Sequence, residues 1–429
     1  MTVTEERPDT AQAPEKEVGK ARRRKEDARL ITGKTTWTDN MVLPGMLHIA
    51  VVRSPVAHAK ITNVDVSAAQ QSPGVIAVFT GRDFAEEQGS IPCAWPVTPD
   101  MVNPGHPSVA VEEVNHVGEA VAVIVGRTKS AAQDAVELVD VDYDQLPVVM
   151  DMEKAVGQEP HLCHDHLASN ESFRFVFDAG EVGTGVNTDQ AFADADVVVS
   201  RRFVQQRLIP AFMEPRSVVV QPQGDNYTMW SSTQVPHILR LMLAMVTGTP
   251  EHKLRVIAPD VGGGFGGKLQ VTPEEVLTLL VAKRVGKPVK WTETRSESLM
   301  SAHHGRDQIQ YIDIAADREG NVKGLKVHIL SDMGAYLRLV SPGVPILGAF
   351  MYVGIYKFPA YRFDCQGVFT NKVPTDAYRG AGRPEATFAI ERIMDELAVE
   401  LDMDPLELRR KNWIGAEEFP FTTAAGLEY

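Results

Sequence analysis

The chain has 429 residues, of which 44% are hydrophobic, and its formal net charge at pH 7 is −14. This length and apolar content allow large cores and two or more domains. The negative charge, and the lack of a basic face with interleaved aromatic residues, exclude a nucleic-acid surface. No apolar run resembles a signal peptide or approaches membrane-spanning length, so we expect a cytoplasmic protein with no membrane span.

The first part of the chain predicts a tail followed by an α+β domain. Residues 1–26 are rich in Glu, Lys, Pro and Ala without apolar periodicity, which predicts a disordered tail. Beyond it, β-branched runs between turn residues predict strands at 46–52, 61–66, 75–79 and 121–125. An amphipathic helix is predicted over 130–138, with Ala131, Ala135 and Leu138 on one face.

The second part mixes strands with longer helices. Strands are predicted at 196–204, 254–258 and 309–314, and helices at 235–246, 272–285, 385–401 and 405–412. The helix over 272–285 has the clearest boundaries. Thr272, Pro273 and Glu275 predict an N-terminal capping box, and Gly286 ends the helix.

The most informative segment is Asp-Val-Gly-Gly-Gly-Phe-Gly-Gly-Lys, residues 260–268, between a predicted strand and this helix. Its five glycines leave the backbone almost free of side chains and permit φ angles that other residues avoid. Backbone N–H groups in such a loop come within hydrogen-bond reach of a bulky anionic ligand. The layout therefore predicts a cofactor-binding loop.

Other interpretations of the loop remain open. Gly262, Gly264 and Gly267 match a dinucleotide-binding GxGxxG, but no βαβ unit with an acidic ribose partner follows. The GxxxxGK spacing that ends at Lys268 matches a P-loop, but Leu269 stands where Mg²⁺ requires a Ser or Thr. A third interpretation is a glycine loop that only lets two layers pack closely.

Cysteine and histidine residues give little sign of a metal site. Cys93, Cys163 and Cys365 are too far apart in sequence for an iron–sulfur cluster. The run His161–His166 contains residue types that bind zinc, but its spacing is not that of a standard structural site. We expect an exposed interdomain loop there.

Several motifs together resemble the xanthine dehydrogenase (molybdenum hydroxylase) family. The glycine-rich segment is similar to the first molybdopterin-contacting loop of that family. The other matching segments follow the family's order: RKEDARLITG at 24–33, MEPR at 213–216, STQVPH at 232–237 and AYRGAGRPE at 377–385. The last resembles the AYRGAGR group of proteins similar to the large subunit of aerobic carbon monoxide dehydrogenase.

The resemblance implies an α+β fold in two domains. Residues 27–165 would form an N-terminal α/β hammerhead domain, and residues 166–429 the first molybdopterin-cofactor-binding α+β domain. A second cofactor domain, which carries the general-base glutamate in this family, is missing. We therefore expect a truncated chain that is inactive alone, in which Glu214 and Glu385 are structural ion-pair partners rather than replacements for that base.

The resemblance also implies the site residues. The catalytic candidates are Gln234, whose amide would donate to an oxo group of molybdenum, Arg379 and Gly380. The cofactor-binding candidates are Gly263, Gly264, Phe265, Gly266, Gln234, Arg379 and Ala381. Phe265 is expected to pack so that it excludes water. No protein metal ligand is expected, because the pterin dithiolene supplies the sulfur ligands of molybdenum in this family.

The implied cofactor is molybdenum bound to molybdopterin, in its cytosine dinucleotide form. The implied partners are an iron–sulfur small subunit with [2Fe–2S] clusters and a medium subunit with FAD, assembled as a dimer of heterotrimers. This chain has no cluster cysteines to receive the two electrons, and the family resemblance implies these two partners as the acceptors.

Three positions bear on the small-molecule substrate. Gly380 stands where copper-containing carbon monoxide dehydrogenases have the cysteine that binds Cu(I). Ala381 and Leu269 stand where purine oxidisers have an aromatic residue and a glutamate. We expect oxidation of an aldehyde or a small aromatic or N-heterocyclic substrate, with water as the oxygen source. A carbon monoxide dehydrogenase large subunit, a non-catalytic truncated homologue and a P-loop nucleotide-binding protein remain alternatives.

Overall fold

The computed structural model describes residues 17–157 and 161–429, and contacts divide the chain into two compact units, Met1–Thr36 and Trp37–Tyr429. Among residues 17–36 of the first unit, the structure has one short helix, α1 (Asp27–Ile31). Residues 1–16 of the predicted disordered tail lie outside the described residues. Residues 17–26 form turns and irregular backbone.

The second unit contains three β-sheets. Its strands are β1 (Leu47–Arg53), β2 (Ala59–Asp65), β3 (Val75–Thr80), β4 (Glu113–Val114), β5 (Ala120–Gly126), β6 (Asp140–Gln145), β7 (Glu171–Asp178), β8 (Val197–Leu208), β9 (Ser217–Gln223), β10 (Asn226–Ser231), β11 (Leu254–Ile257), β12 (Val289–Thr292), β13 (Gly305–Ala316), β14 (Val322–Gly334) and β15 (Tyr361–Phe369). The sheet orders are β11-β10-β9-β12-β1-β5-β3, β7-β15-β14-β13-β8 and β4-β2-β6.

Helices cover these sheets. They are α2 (Ser67–Gln71), α3 (Gly81–Phe84), α4 (Lys129–Val136), α5 (Met152–Ala155), α6 (Ala179–Val182), α7 (Thr188–Ala193), α8 (Pro236–Thr247), α9 (Pro273–Val285), α10 (Arg295–Ser301), α11 (Gly343–Ala349), α12 (Arg383–Glu400) and α13 (Pro405–Asn412). Within the described ranges, no helix is both long and apolar enough to cross a membrane. The chain thus has a mixed α+β fold, as predicted.

The seven-stranded sheet joins the two halves of the sequence. Strand β1 pairs in parallel with β12, with Ile49 opposite Trp291, and antiparallel with β5. Alternate β1 side chains enter different cores: Ile49 and Val51 face the core of α8 and α9, whereas Ala50 and Val52 face α4. Strands from the two predicted domains therefore form one continuous sheet.

The predicted strands and helices are confirmed to within a few residues at most ends, but the buried face of α4 was predicted wrongly. Its buried residues are Ala132 and Ala135, whereas Leu138 is 42% exposed. The helix ends at Val136, so Leu138 lies beyond its last turn and does not share its periodicity.

Helix α9 has the boundaries that the sequence predicts. Thr272 and Glu275 form the capping box, and Gly286 ends the helix in the left-handed region with φ of 61°. Residues 274–282 are buried on every face of the helix. Because water cannot reach its first turn, the capping box provides hydrogen bonds that the backbone there needs.

The run 161–166 is a loop, but it is only partly exposed: His161, Asp165 and His166 are exposed. Cys163 and His164 are buried. The Cys163 N–H donates to Asn170 Oδ1 at 2.8 Å, and His164 Nε2 donates to the Ala335 carbonyl at 2.6 Å. Across 17–157 and 161–429, no group of three or more His, Cys, Asp or Glu residues is placed to hold a metal ion.

A buried carboxyl lies directly before β5. Glu119 Oε2 accepts from the Asn115 N–H at 2.7 Å, and the Tyr336 hydroxyl donates to Oε1 at 2.9 Å. The ring of His106 stacks on Tyr336 with centroids 4.2 Å apart. Burial raises the pKa of Glu119 to about 7, because desolvation disfavours the carboxylate.

Glu119 should therefore make stability depend on pH. Its folded-state pKa lies above its ordinary value of 4.5, so the native protein loses stability as pH rises from about 4.5 to about 7. We expect Glu119→Gln to remove this loss, so that the variant gains up to about 3 kcal/mol over the wild type across that window. Denaturant unfolding at pH 5 and pH 8 measures the difference.

The buried histidines act in the opposite direction but cancel in this comparison. Burial lowers the pKa of His116 and of His303 to about 3, so both favour the native state as pH rises. They are the same in both proteins. Glu400→Gln, at an exposed position, is the control. If the difference in the free energy of unfolding between Glu119→Gln and the wild type does not change with pH, the prediction is contradicted.

Candidate active site

The glycine-rich segment 260–268, here called the first loop, connects β11 to α9. Phe265 and Gly266 have positive φ angles of 53° and 96°, a region that is open to glycine and costly for phenylalanine. A Cβ added to Gly264 would overlap the side chain of Gln234. Glycine therefore permits both the path of the loop and the approach of Gln234.

Gln234 holds the first loop from the segment before α8. Its Oε1 accepts from the N–H groups of Gly266 at 3.0 Å and Lys268 at 3.3 Å. The backbone N–H of Gln234 donates to the Lys268 carbonyl at 2.8 Å. The amide Nε2 has no acceptor among the residues that the structure describes, so its N–H groups remain available to a ligand.

Residues 377–383, here called the second loop, lie against the first and lead into α12. The Arg379 N–H donates to the Phe265 carbonyl at 2.9 Å. A Cβ added to Gly266 would overlap the carbonyl oxygen of Ala377. Gly380 and Ala381 follow with positive φ angles of 109° and 45°. The fold thus brings together the residues predicted for the site from three separate parts of the sequence.

Phe265 is more exposed than predicted. Its side chain does not lie in a closed core, because the residue is 42% exposed. The guanidinium of Arg379, which is also exposed, lies 5.4 Å from the centre of its ring. The pair therefore presents an aromatic surface with a positive charge beside it.

Arg306 holds the second loop and was not predicted from the sequence. It has a φ angle of 65°. Its guanidinium donates to the carbonyls of Tyr378 at 3.0 Å and Arg379 at 2.8 Å, and to Glu385 Oε1 at 3.0 Å. Glu385 is thus a structural ion-pair partner, as predicted. No local sequence pattern marks an arginine that adopts a left-handed backbone.

The first loop is also held by an ion pair with the MEPR segment. Glu214 Oε2 accepts from Lys268 Nζ at 2.8 Å and from the Gly262 N–H at 2.7 Å. Burial lowers the pKa of Lys268, although Glu214 acts in the opposite direction. Glu214 is therefore a structural partner, as predicted. The P-loop interpretation is wrong, because the Lys268 ammonium is buried and engaged by Glu214 rather than free for a phosphate.

Behind the ion pair lies a buried charge network around Arg216. This side chain donates through Nε to Glu293 at 2.9 Å and through Nη1 to Glu274 at 3.0 Å. Arg53 donates to the other oxygen of Glu274 at 2.8 Å. Burial alone would raise the pKa of Glu274, but the two arginines outweigh it and hold the pKa at about 2. The network ties β1, β9 and α9 together below the first loop.

The two loops suit an anionic, oxygen-rich cofactor. The N–H groups of Gly263, Gly264 and Phe265 have no acceptor in the described part of the chain, and Gln234 Nε2 is also free. Arg379 adds a positive charge at the same place. Unpaired backbone donors in a glycine loop are a common means of binding anionic groups. The residues present therefore fit molybdopterin.

Comparison with known proteins agrees with this geometry. Residues 164–413 match the family model of the molybdopterin cofactor-binding domain. Residues 32–147 match that of the a/b hammerhead domain of aldehyde oxidase and xanthine dehydrogenase. The fold and the two loops thus define a molybdopterin-binding protein. The chain belongs to the xanthine dehydrogenase (molybdenum hydroxylase) family.

Individual relatives show how much of such proteins the chain represents. It is 36% identical to the nicotine 6-hydroxylase large subunit of Paenarthrobacter nicotinovorans, with 96% of this chain and 50% of that protein aligned. It is also 36% identical to the carbon monoxide dehydrogenase large chain of Hydrogenophaga pseudoflava, and that alignment covers 94% of this chain and 51% of that protein. The crystal structure of quinoline 2-oxidoreductase from Pseudomonas putida 86 matches with a TM-score of 0.88 and 36% identity. The match covers 95% of this chain and 51% of that one. The chain spans about half the length of these relatives.

Proposed function

We propose that the chain is the molybdopterin-binding catalytic part of a molybdenum hydroxylase. Its substrate is an aldehyde or a small aromatic or N-heterocyclic compound, and water is the oxygen source. The observation that carries this proposal lies where the two loops meet: within residues 17–157 and 161–429, Gln234 Nε2 and three N–H groups of the first loop have no acceptor. Nicotine and quinoline, in the names of two relatives, support the N-heterocyclic class.

Each site residue then has a specific role toward the bound cofactor. Molybdopterin supplies the two-electron redox chemistry when it is bound. Gln234 would donate from Nε2 to an oxygen of the bound cofactor and stabilise negative charge there. Gly263, Gly264 and Phe265 would hold the cofactor through backbone N–H groups, and the Arg379 guanidinium would pair with an anionic group.

The second loop supports the substrate class. Gly380 and Ala381 let the backbone pass close to the cofactor, and neither offers a side-chain sulfur to Cu(I). This disfavours carbon monoxide as the substrate, although two relatives carry that activity in their names. A small alanine in place of an aromatic side chain also disfavours the stacking of a purine ring.

The electrons need a path away from the site. We propose an iron–sulfur small subunit with [2Fe–2S] clusters and an FAD-binding medium subunit, in a dimer of heterotrimers. The word "subunit" in the names of relatives supports partners in general. We further propose the cytosine dinucleotide form of molybdopterin, and a cytoplasmic location. The three free cysteines support the latter.

Purification of the native complex tests the proposal. We expect about one molybdenum per copy of this chain, release of a cytosine nucleotide on hydrolysis, and two co-purifying subunits. Dye reduction should be seen with benzaldehyde or quinoline and should be absent with carbon monoxide. A native complex without molybdenum would contradict the function, and turnover of carbon monoxide would favour the alternative.

Gln234 offers a more specific test. Gln234→Met removes the free Nε2 donor, together with the Oε1 acceptor of the Gly266 and Lys268 N–H groups, and adds no charge. We expect kcat to fall about 100-fold, as when one donor to a developing oxyanion is lost. Molybdenum content is measured in the same preparation to separate turnover from cofactor loss. Gln206→Met, at an exposed position of β8, is the control. Unchanged kcat in Gln234→Met would assign the side chain to loop packing alone.

A further inference from the structure

A buried histidine lies directly behind the contact between the two loops. His303 Nε2 is 3.1 Å from the carbonyl oxygen of Ala377, the first residue of the second loop. Its Nδ1 is 3.0 Å from Gln270 Nε2, just after the first loop. Both side chains are buried. The histidine therefore connects the C-terminal end of one loop to the start of the other.

The hydrogens of this connection can be assigned from chemistry alone. The Ala377 carbonyl only accepts, so His303 Nε2 must carry the hydrogen. Burial lowers the pKa of His303 to about 3, so the imidazole is neutral near pH 7 and Nδ1 has a lone pair. Gln270 must then present its NH₂ group to Nδ1. Gln270, His303 and the Ala377 carbonyl thus form a chain of hydrogen bonds, here called the relay. In it, Gln270 donates to His303, and His303 donates to Ala377.

The carbonyl at the end of this relay lies directly against Gly266 of the first loop. A Cβ on Gly266 would overlap that oxygen, and two residues further on the Arg379 N–H donates to Phe265. A shift of the Ala377 carbonyl therefore moves Arg379 relative to Phe265 and Gly266. Since these residues form the proposed cofactor site, the relay controls the spacing of the site without touching the ligand.

We propose that His303, supported by Gln270, is a positioning residue that fixes the Ala377 carbonyl and sets the distance between the two glycine-rich loops. The effect on the cofactor rests on the proposed function. The effect on the loops themselves does not, so the two are tested separately.

Amide hydrogen exchange of the full chain measures the loop contact. In His303→Leu we expect exchange at the Arg379 and Gly266 amides to become at least tenfold faster. In His303→Gln it should stay within about threefold of wild type, because the glutamine Nε2 takes the position of the histidine donor. Unchanged exchange in His303→Leu, or no rescue by His303→Gln, would overturn the proposal.

Two further variants separate positioning from general stability. His116 is also buried, has a pKa of about 3 and hydrogen-bonds a backbone carbonyl, that of Val117, at 2.9 Å. We expect His116→Leu to lower Tm but to leave exchange in both loops unchanged, and faster loop exchange in His116→Leu would overturn the proposal.

If His303→Leu does not fold, Gln270→Met removes the relay donor and keeps the imidazole. It should accelerate exchange at Arg379, and no acceleration overturns the relay.

A spectroscopic signature and the molybdenum content complete the test. Nitrogen-15 labelling of histidine should show His303 as the neutral Nε2–H tautomer from pH 5 to pH 8, and a protonated or Nδ1–H ring would overturn the assignment. In the native complex, His303→Leu should hold less molybdenum than His303→Gln. Equal molybdenum with altered exchange would limit the relay to the loops, contradicting its role in the site. A wild-type complex without molybdenum instead contradicts the proposed function.

Discussion

Gly266→Ala is expected to lower the molybdenum content of the native complex more than tenfold. Gly266 has a φ angle of 96°, and its Cβ would overlap the carbonyl oxygen of Ala377. Backbone atoms on both sides prevent relief by a rotamer change, so the two loops must separate. Separation breaks the hydrogen bond from Arg379 to Phe265 and moves the N–H donors of the first loop away from the Arg379 guanidinium. Metal analysis and thermal unfolding measure the result.

Gly248 provides a matched control for the backbone strain. It ends α8 with a φ angle of 61°, and an added Cβ meets no atom within 4 Å. Gly248→Ala should therefore show the cost of a left-handed alanine alone, about 1 kcal/mol, with molybdenum unchanged. Full molybdenum content in Gly266→Ala would show that the two loops need not touch for the cofactor to bind.

Arg216→Met is expected to destabilise the protein by about 3–5 kcal/mol, the usual cost of removing one partner from a buried ion pair. Glu293 and Glu274 both accept from this guanidinium, and within the described ranges only Glu274 also accepts from a second arginine, Arg53. Burial would then raise the pKa of Glu274, which Arg216 helps to hold down, so the loss should be smaller at low pH. Denaturant unfolding at pH 5 and pH 8 measures both effects.

An exposed ion pair serves as the comparison. Arg174 pairs with Asp364 at 2.7 Å, but the arginine side chain is 53% exposed. We expect Arg174→Met to cost less than about 1 kcal/mol, because solvent screens such pairs. Equal losses in Arg174→Met and Arg216→Met would mean that the buried network contributes no more than a surface contact.

The sequence predicted those parts of the fold that local patterns encode. The capping box of Thr272 and Glu275 and the left-handed end at Gly286 agree with the structure residue by residue, because each depends on neighbours within one helix. The glycines of the two loops were found because few other residues tolerate their backbone angles. The meeting of the loops came only from the family resemblance.

What the sequence did not predict depends on contacts between distant segments. The pairing of Lys268 with Glu214, the left-handed Arg306 and the burial of Cys163 and His164 all arise from tertiary packing. The face of α4 was misjudged because a helix that ends two residues early changes which residues share a side. Local periodicity carries no information about any of these features.

The pairing of β1 with β12 has a consequence for biosynthesis. About 240 residues separate Leu47 from its partner Val289. At ordinary translation rates of about 5–20 residues per second, β1 leaves the ribosome roughly 10–50 seconds before β12. During that interval one edge of an apolar strand has no neighbour, and unpaired edges promote aggregation. Yield in a heterologous host should therefore depend strongly on chaperones that bind nascent chains, and on slow, cool expression.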